Sequence, residues 1–203
     1  MDNIASWNIR DLNWPNKQED VKLFLHNNNI GLVGLLETKI KMQNFQKVAS
    51  NMFPNWRWMH NFTLNSKGRI WLAWRPNVYK THPIRMTDQL IYCKVTQLST
   101  NKHFYLSIIY GFNHENQCEN LWNDLTDLGR NMDYAWCLMG DFNALRFKED
   151  RIGGNEVQEH ELRELANLLE TCELHQLKST GVYFSWTNRS IWSRIDYVFL
   201  NDV

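Results

Sequence analysis

Ile30-Gly31-Leu32-Val33-Gly34-Leu35-Leu36 runs for seven residues without a polar side chain and stops at Glu37. Being apolar without alternation, it reads as a strand covered on both faces. A carboxylate at the end of such a strand is costly unless it is solvated, paired or bound to a cation. The same pattern recurs along the chain. Ile4 to Ile9, a short mixed run with strand character, carries Asn8 after Ser6-Trp7, and Trp136 to Met139 leads through Gly140 to Asp141 and Asn143; Asp196 sits inside Arg194-Ile195-Asp196-Tyr197. If these strands lie side by side, their polar ends meet on one rim.

The rest of the chain fits one layered domain of 203 residues, against a usual size of roughly 150 per domain. Apolar residues make up 43%, charged residues 22% and aromatics 13%, with ten tryptophans; such a composition argues against disorder. Pro15 stands where a helix can begin, with Val21, Phe24 and Leu25 at helical spacing behind it. Segments Arg57 to Thr63, Ile70 to Arg75, Ile91 to Leu98 and Phe104 to Tyr110 have strand composition. One helix carries Leu121, Trp122, Leu125, Leu128 and Met132, and another carries Leu162, Leu165, Ala166, Leu169 and Cys172. Val182 to Trp186 and Ile195 to Leu200 close the chain as strand candidates. Many strands and about four helices predict an α+β fold, a two-sheet β-sandwich flanked by helices.

Composition also excludes classes. Lys plus Arg equals Asp plus Glu at 22 each, so bulk positive charge cannot hold a nucleic acid and any polyanion must meet a local patch or a bound metal. The longest apolar run falls far short of the ~20 residues of a membrane span, and no signal peptide is visible at the amino terminus. Cys93, Cys118, Cys137 and Cys172 are scattered without metal-site spacing, which reads as reduced cysteines in a nuclear or cytoplasmic protein. A rim of Glu, Asp and Asn suits Mg²⁺, which takes oxygen ligands and keeps several waters.

Several short runs then occur in a telling order: Ser6-Trp7-Asn8-Ile9-Arg10, Leu36-Glu37-Thr38-Lys39, Ile109-Tyr110-Gly111, Gly140-Asp141-Phe142-Asn143, Glu149-Asp150-Arg151-Ile152-Gly153-Gly154, Leu177-Lys178-Ser179-Thr180-Gly181 and Ser193-Arg194-Ile195-Asp196. Together they resemble the endonuclease/exonuclease/phosphatase (DNase I-like) superfamily, and more narrowly the endonuclease domain of plant LINE-type (non-LTR) retrotransposons. The resemblance covers essentially all of residues 1–203. It implies a DNase I-like four-layer α/β/β/α fold and an Mg²⁺-dependent (Mn²⁺ possible) phosphodiesterase that nicks DNA.

By the same resemblance, Glu37 is the principal metal ligand with Asn8 beside it. Asp141 is the acid/base residue, Asn143 orients the scissile phosphate, Tyr110 hydrogen-bonds it, and Asp196 orients a catalytic histidine. Trp186 and Thr187 match a position where relatives touch the DNA groove. Arg151 belongs to a basic rim with Lys39, Lys41, Arg146 and Lys148. Trp56, Trp58, Trp71 and Trp74 could stack bases, but core packing is the simpler expectation.

Two departures stand out. Asp11 occupies a turn position where relatives have Gly. The family's Ser-Asp-His segment follows the S-R-I-D strand by some tens of residues, whereas no histidine follows Asp196 in this sequence; the last is His175. The expectation is therefore a chain truncated before that segment, with its last strand missing and its activity weak or absent. A downstream reverse transcriptase in a longer polyprotein is the implied partner. The rival expectations are a phosphatase or phosphodiesterase acting on a small phosphate ester, and a non-catalytic retroelement remnant or gene-model fragment.

Overall fold

The computed structural model describes residues 2–64 and 69–203. These residues form two compact units, Met1–Tyr110 and Gly111–Val203.

In the first unit the chain runs β1 (Asn3–Asn8), α1 (Pro15–Asn27), β2 (Ile30–Leu36), α2 (Met42–Met52), β3 (Arg57–His60), β4 (Ile70–Trp74), β5 (Tyr79–Met86), β6 (Leu90–Gln97) and β7 (His103–Tyr110). The strand order β1-β2-β4-β3 makes one sheet. β1 and β2 are parallel, joined through α1, while β4 pairs antiparallel with both β2 and β3. All seven residues of β2 are buried, as its unbroken apolarity requires. One face, with Val33, Leu35, Trp71 and Ala73, packs on Val21 and Leu25 of α1 and Met52 of α2. The other face meets the antiparallel meander β5-β6-β7. There a Cβ built on Gly34 would stand 2.7 Å from Ile108 Cγ2, so only glycine allows this approach. Helix layer, sheet and second sheet are thus stacked within this unit. Three of the four tryptophans singled out above belong to that stack: Trp71 is fully buried, and Trp56 and Trp58 pack against the same cluster.

The second unit comprises α3 (Glu119–Gly129), β8 (Trp136–Asp141), β9 (Arg151–Ile152), α4 (Glu159–Thr171), β10 (Leu174–Gln176), β11 (Trp186–Thr187), β12 (Trp192–Ser193) and β13 (Asp196–Asn201). β13 pairs antiparallel with β8 on one side and β10 on the other. β9, β12 and β11 make a small antiparallel sheet of their own. All four cysteines are free thiols.

The structure corrects the expected elements in four places. Val182 to Ser185 is irregular and only Trp186–Thr187 is strand. Val182 is 87% exposed, so its strand-like composition has no face to cover. Met132 lies beyond the end of α3, and Leu168 rather than Ala166 is buried on α4. β5 was hidden by Pro83, which sits at an irregularity in its pairing with β6, the kind of position that tolerates a missing N–H. No helix among the described residues is long and apolar enough to cross a membrane.

Candidate active site

In the first unit, parallel pairing sets the ends of β1 and β2 level, with Asn8 opposite Leu36. The two chains stay together beyond the strands: Ile9 N donates to Leu36 O (3.1 Å), Asp11 N to Glu37 O (2.9 Å) and Leu12 N to Thr38 O (2.8 Å). This places Asn8 and Glu37 at one edge. The turns that do so are left-handed at non-glycine residues, with φ of 47° at Arg10, 95° at Asp11, 51° at Glu37 and 54° at Lys39. Such conformations cost of order 1–3 kcal/mol each and concentrate at functional sites. Asp11 offsets part of that cost by accepting hydrogen bonds from Asn13 N (2.9 Å) and Asn13 Nδ2 (2.7 Å). The backbone bond from Asn13 is the main cause that holds the Asp11 carboxyl below its usual value.

Tyr110, at the end of β7, reaches the same edge. Its hydroxyl donates to Glu37 Oε1 at 2.5 Å and accepts from Arg69 Nη1 at 3.2 Å. The Arg69 guanidinium carbon stands 5.2 Å from the Tyr110 ring centroid, and Glu37 N donates to Arg69 O (2.9 Å). Glu37, Arg69, Lys39, Lys41, Met42 and Gln43 are among the residues lining a cleft of about 610 Å³. The structure thus brings Asn8, Glu37 and Tyr110 together and adds Arg69, which sequence reasoning passed over. Its only signal was a cation immediately before the apolar strand Ile70–Trp74.

In the second unit, Asp141 ends β8 and is almost wholly buried. It stands directly opposite Asp196, the first residue of β13. Past the pair, Phe142 N donates to Ile195 O (2.9 Å). Asp141 Oδ1 accepts from Asn143 N (3.0 Å), an Asx-type turn, and Asn143 Nδ2 donates to Gly111 O (2.7 Å). Asn143 is again left-handed, with φ of 47°. Gly111 is required here, because a Cβ would strike the Phe142 carbonyl oxygen. Asp141, Asn143 and Asp196 therefore share one end of the β8–β13 pair.

The remaining sequence-selected residues lie on the small sheet. Arg151 is paired with Glu161, Nη1 to Oε2 at 2.8 Å. Although burial pushes Glu161 upward, hydrogen bonds from Gln158 N and Arg151 hold it below its usual value. Trp186 packs, half-buried, against Leu145, Val157 and Ile195. Thr187 Oγ1 accepts from Arg189 N (2.9 Å). Arg151 and Asn143 line a common small pocket with Phe142, Leu145, Trp122 and Glu161. A second overlooked residue is Asp150, 1% exposed. It accepts from Arg146 N (3.1 Å), Phe147 N (2.9 Å), Tyr183 Oη (2.6 Å) and Tyr197 Oη (3.2 Å), fixing the chain after Asn143 to β13. Among the described residues, no three His, Cys, Asp or Glu side chains gather as a metal cage.

Residues 5–202 match the Endonuclease/Exonuclease/phosphatase family over nearly their whole length. The chain belongs to this family. The family is one of phosphoester hydrolases, nucleases and phosphatases together. Among solved structures it is similar to the endonuclease domain of TRAS1, a telomere-specific non-LTR retrotransposon, with a TM-score of 0.73 at 13% identity, covering 97% of this chain and 82% of that one. It is similar to D. rerio TDP2 complexed with a single-strand DNA product (TM-score 0.67, 16% identity, 98% and 83% covered). A Bacteroides thetaiotaomicron mannosyl-6-phosphatase follows at 0.63 and 15%, with 98% and 84% covered. Comparison with curated protein sequences gave no match. These likenesses establish the DNase I-like α/β sandwich that the motif order implied.

Proposed function

We propose that this protein is a retrotransposon-type endonuclease, an Mg²⁺-dependent phosphodiesterase that nicks DNA. The observation that carries the reading is the level placement of Asn8 and Glu37 at the ends of parallel strands, with the Tyr110 hydroxyl on Glu37. A carboxylate and an amide oxygen are hard donors. They fit Mg²⁺, or Mn²⁺ in its place, which is commonly held by one or two carboxylates and completes its shell with water and substrate phosphate. When bound, the metal supplies positive charge to a phosphoryl oxygen. Asn143 offers an uncharged amide that orients a phosphate without repelling it. Asp141 supplies the carboxylate for proton transfer, and Asp196, beside it in register, is the group that would orient an imidazole.

No histidine follows Asp196 within these 203 residues, and loss of a general acid/base costs about 10²–10⁴ in rate. The 203-residue polypeptide on its own therefore nicks slowly or not at all. A longer reading frame that restores Ser-Asp-His, ahead of a reverse transcriptase in the same polyprotein, raises the rate. DNA as substrate is supported by the motif order and by similar structures whose names give an endonuclease domain and a single-strand DNA product; the site of action on this reading is nuclear or cytoplasmic.

Supercoiled plasmid, an abasic duplex and inositol phosphates, each with Mg²⁺, Mn²⁺ or EDTA, separate the readings. The expected result is metal-dependent nicking of plasmid, enhanced in the extended chain and abolished by Glu37→Ala. Hydrolysis confined to the inositol phosphates would favour a small-ester phosphatase, and an extended chain inert on all three a non-catalytic remnant.

A further inference from the structure

A phosphodiester entering the cleft beside Glu37 carries negative charge toward a carboxylate, so the cleft needs a fixed cation. Three basic side chains line it with Glu37: Lys39, Lys41 and Arg69. Lys39 and Lys41 are exposed, and holding such chains in one geometry costs rotamer entropy. Arg69 is half-buried and held three ways. Its carbonyl accepts from Glu37 N, its Nη1 donates to the Tyr110 hydroxyl, and its guanidinium lies over the Tyr110 ring. A charge already in position loses little on binding, which is what makes it effective.

The hydrogen bonding points the same way. A phenol has one hydrogen, and that of Tyr110 is directed to Glu37 Oε1. A phosphate oxygen only accepts, so in this arrangement Tyr110 has no hydrogen to give it. The guanidinium is the donor group beside it, with a planar fork that matches a phosphate bidentately and a charge that does not titrate. We propose that Arg69 receives the substrate phosphate in this cleft and positions the Tyr110 hydroxyl next to it. The inference rests on the phosphodiesterase reading above and deepens it by naming a phosphate-binding residue.

The test is fluorescence anisotropy with a labelled duplex DNA in EDTA across a salt series, on the wild-type chain, Arg69→Gln, Arg69→Lys and, as a charge-loss control on β5, Lys80→Gln. Arg69→Gln is expected to bind about tenfold more weakly and to lower the salt slope by about 0.9, the value of one phosphate contact. Arg69→Lys should keep the slope while losing part of the affinity, and Lys80→Gln should match wild type. A purely structural Arg69 would change the melting temperature and leave the salt slope alone. Wild-type affinity and slope in a folded Arg69→Gln overturn the proposal while the phosphodiesterase reading stands. If Arg69→Gln fails to fold, Arg69→Lys is read instead, and affinity equal to wild type there overturns it. A wild-type chain that neither binds DNA with a salt dependence nor nicks it removes the phosphodiesterase reading, and the role of Arg69 with it.

Discussion

The Tyr183 hydroxyl donates to Asp150 Oδ1 at 2.6 Å, tying the irregular segment before β11 to a carboxylate that is 1% exposed. Tyr197 and the backbone of Arg146 and Phe147 use the other oxygen. Asp150→Ala strands the Phe147 N–H and the Tyr183 hydroxyl, while Tyr197 keeps Arg194 O (2.7 Å) and Arg146 N keeps Tyr197 Oη (3.3 Å), at about 1–3 kcal/mol for each buried group stranded. A total near 3 kcal/mol lowers the melting temperature by about 6–12 °C in a chain of this length. Tyr183→Phe removes only a half-exposed donor and should cost about 1 kcal/mol. Thermal unfolding of both variants is the check, and equal losses would contradict the hub.

The same contact fixes a response to alkali. The hydrogen bond to Asp150 is the leading cause that raises the Tyr183 phenol above its ordinary value of 10.0, and burial with Asp150 nearby raises Tyr197 further. A raised folded-state value means the stabilisation is complete below about pH 10 and is lost as pH climbs from there through the folded-state values. Urea unfolding from pH 8 to 12 should therefore show falling stability above pH 10, with a shallower fall in Tyr183→Phe. An identical slope in the two proteins would refute it.

Burial pushes the thiols of Cys93 and Cys137 up to about 12. At pH 8 the thiolate fraction is then about 10⁻⁴, against roughly a quarter for an ordinary cysteine. Ellman's reagent should find these two thiols silent in the native protein and reactive in 6 M guanidinium, a concentration chosen to unfold any ordinary domain (about 5 M marks hyperstability). Labelling of Cys93 or Cys137 within the mixing time would show that the core opens.

At Asp11 the backbone has φ of 95° while the side chain caps Asn13. Asp11→Gly removes strain and cap together and should change stability by less than about 1 kcal/mol, whereas Asp11→Ala keeps the strain, loses the cap and should cost about 1–2 kcal/mol. Because its folded-state value lies below 3.8, the carboxylate stabilises above that pH and its contribution fades as pH falls below it. Urea denaturation at pH 7 and pH 3 should show the gap between Asp11→Ala and wild type narrowing in acid.

Gly34 and Ile108 offer a test of the sheet-on-sheet contact. Gly34→Ala should cost about 1–3 kcal/mol by overpacking. In an Ile108→Ala background, where the clashing Cγ2 and Cδ1 are gone, the same change should cost less than about 1 kcal/mol. Additive losses in the double-mutant cycle would place the strain elsewhere.

Ile30–Leu36 and Ser193–Asp196 show what could be read from residues alone. An apolar run with no alternation has one physical meaning, and a carboxylate closing it draws attention to the strand end, so β2, β8 and their terminal Glu37 and Asp141 were legible. Arg69 and Asp150 were not, because their importance lies in partners distant in sequence: Tyr110 is 41 residues from Arg69, and Tyr197 is 47 from Asp150. β5 was obscured by a proline that only pairing geometry excuses. Val182 to Ser185 misled because strand propensity reports a fit to a half-buried surface, and none covers that segment.

Glu37 and Asn143 hold backbone angles that glycine would adopt without penalty. On the endonuclease reading proposed above, each marks a point where backbone ease has been given up for a side chain that the chemistry needs. On that reading, Glu37→Gly relieves the backbone but leaves the Tyr110 hydroxyl without the Glu37 carboxylate, so it should lose nicking with little gain in melting temperature.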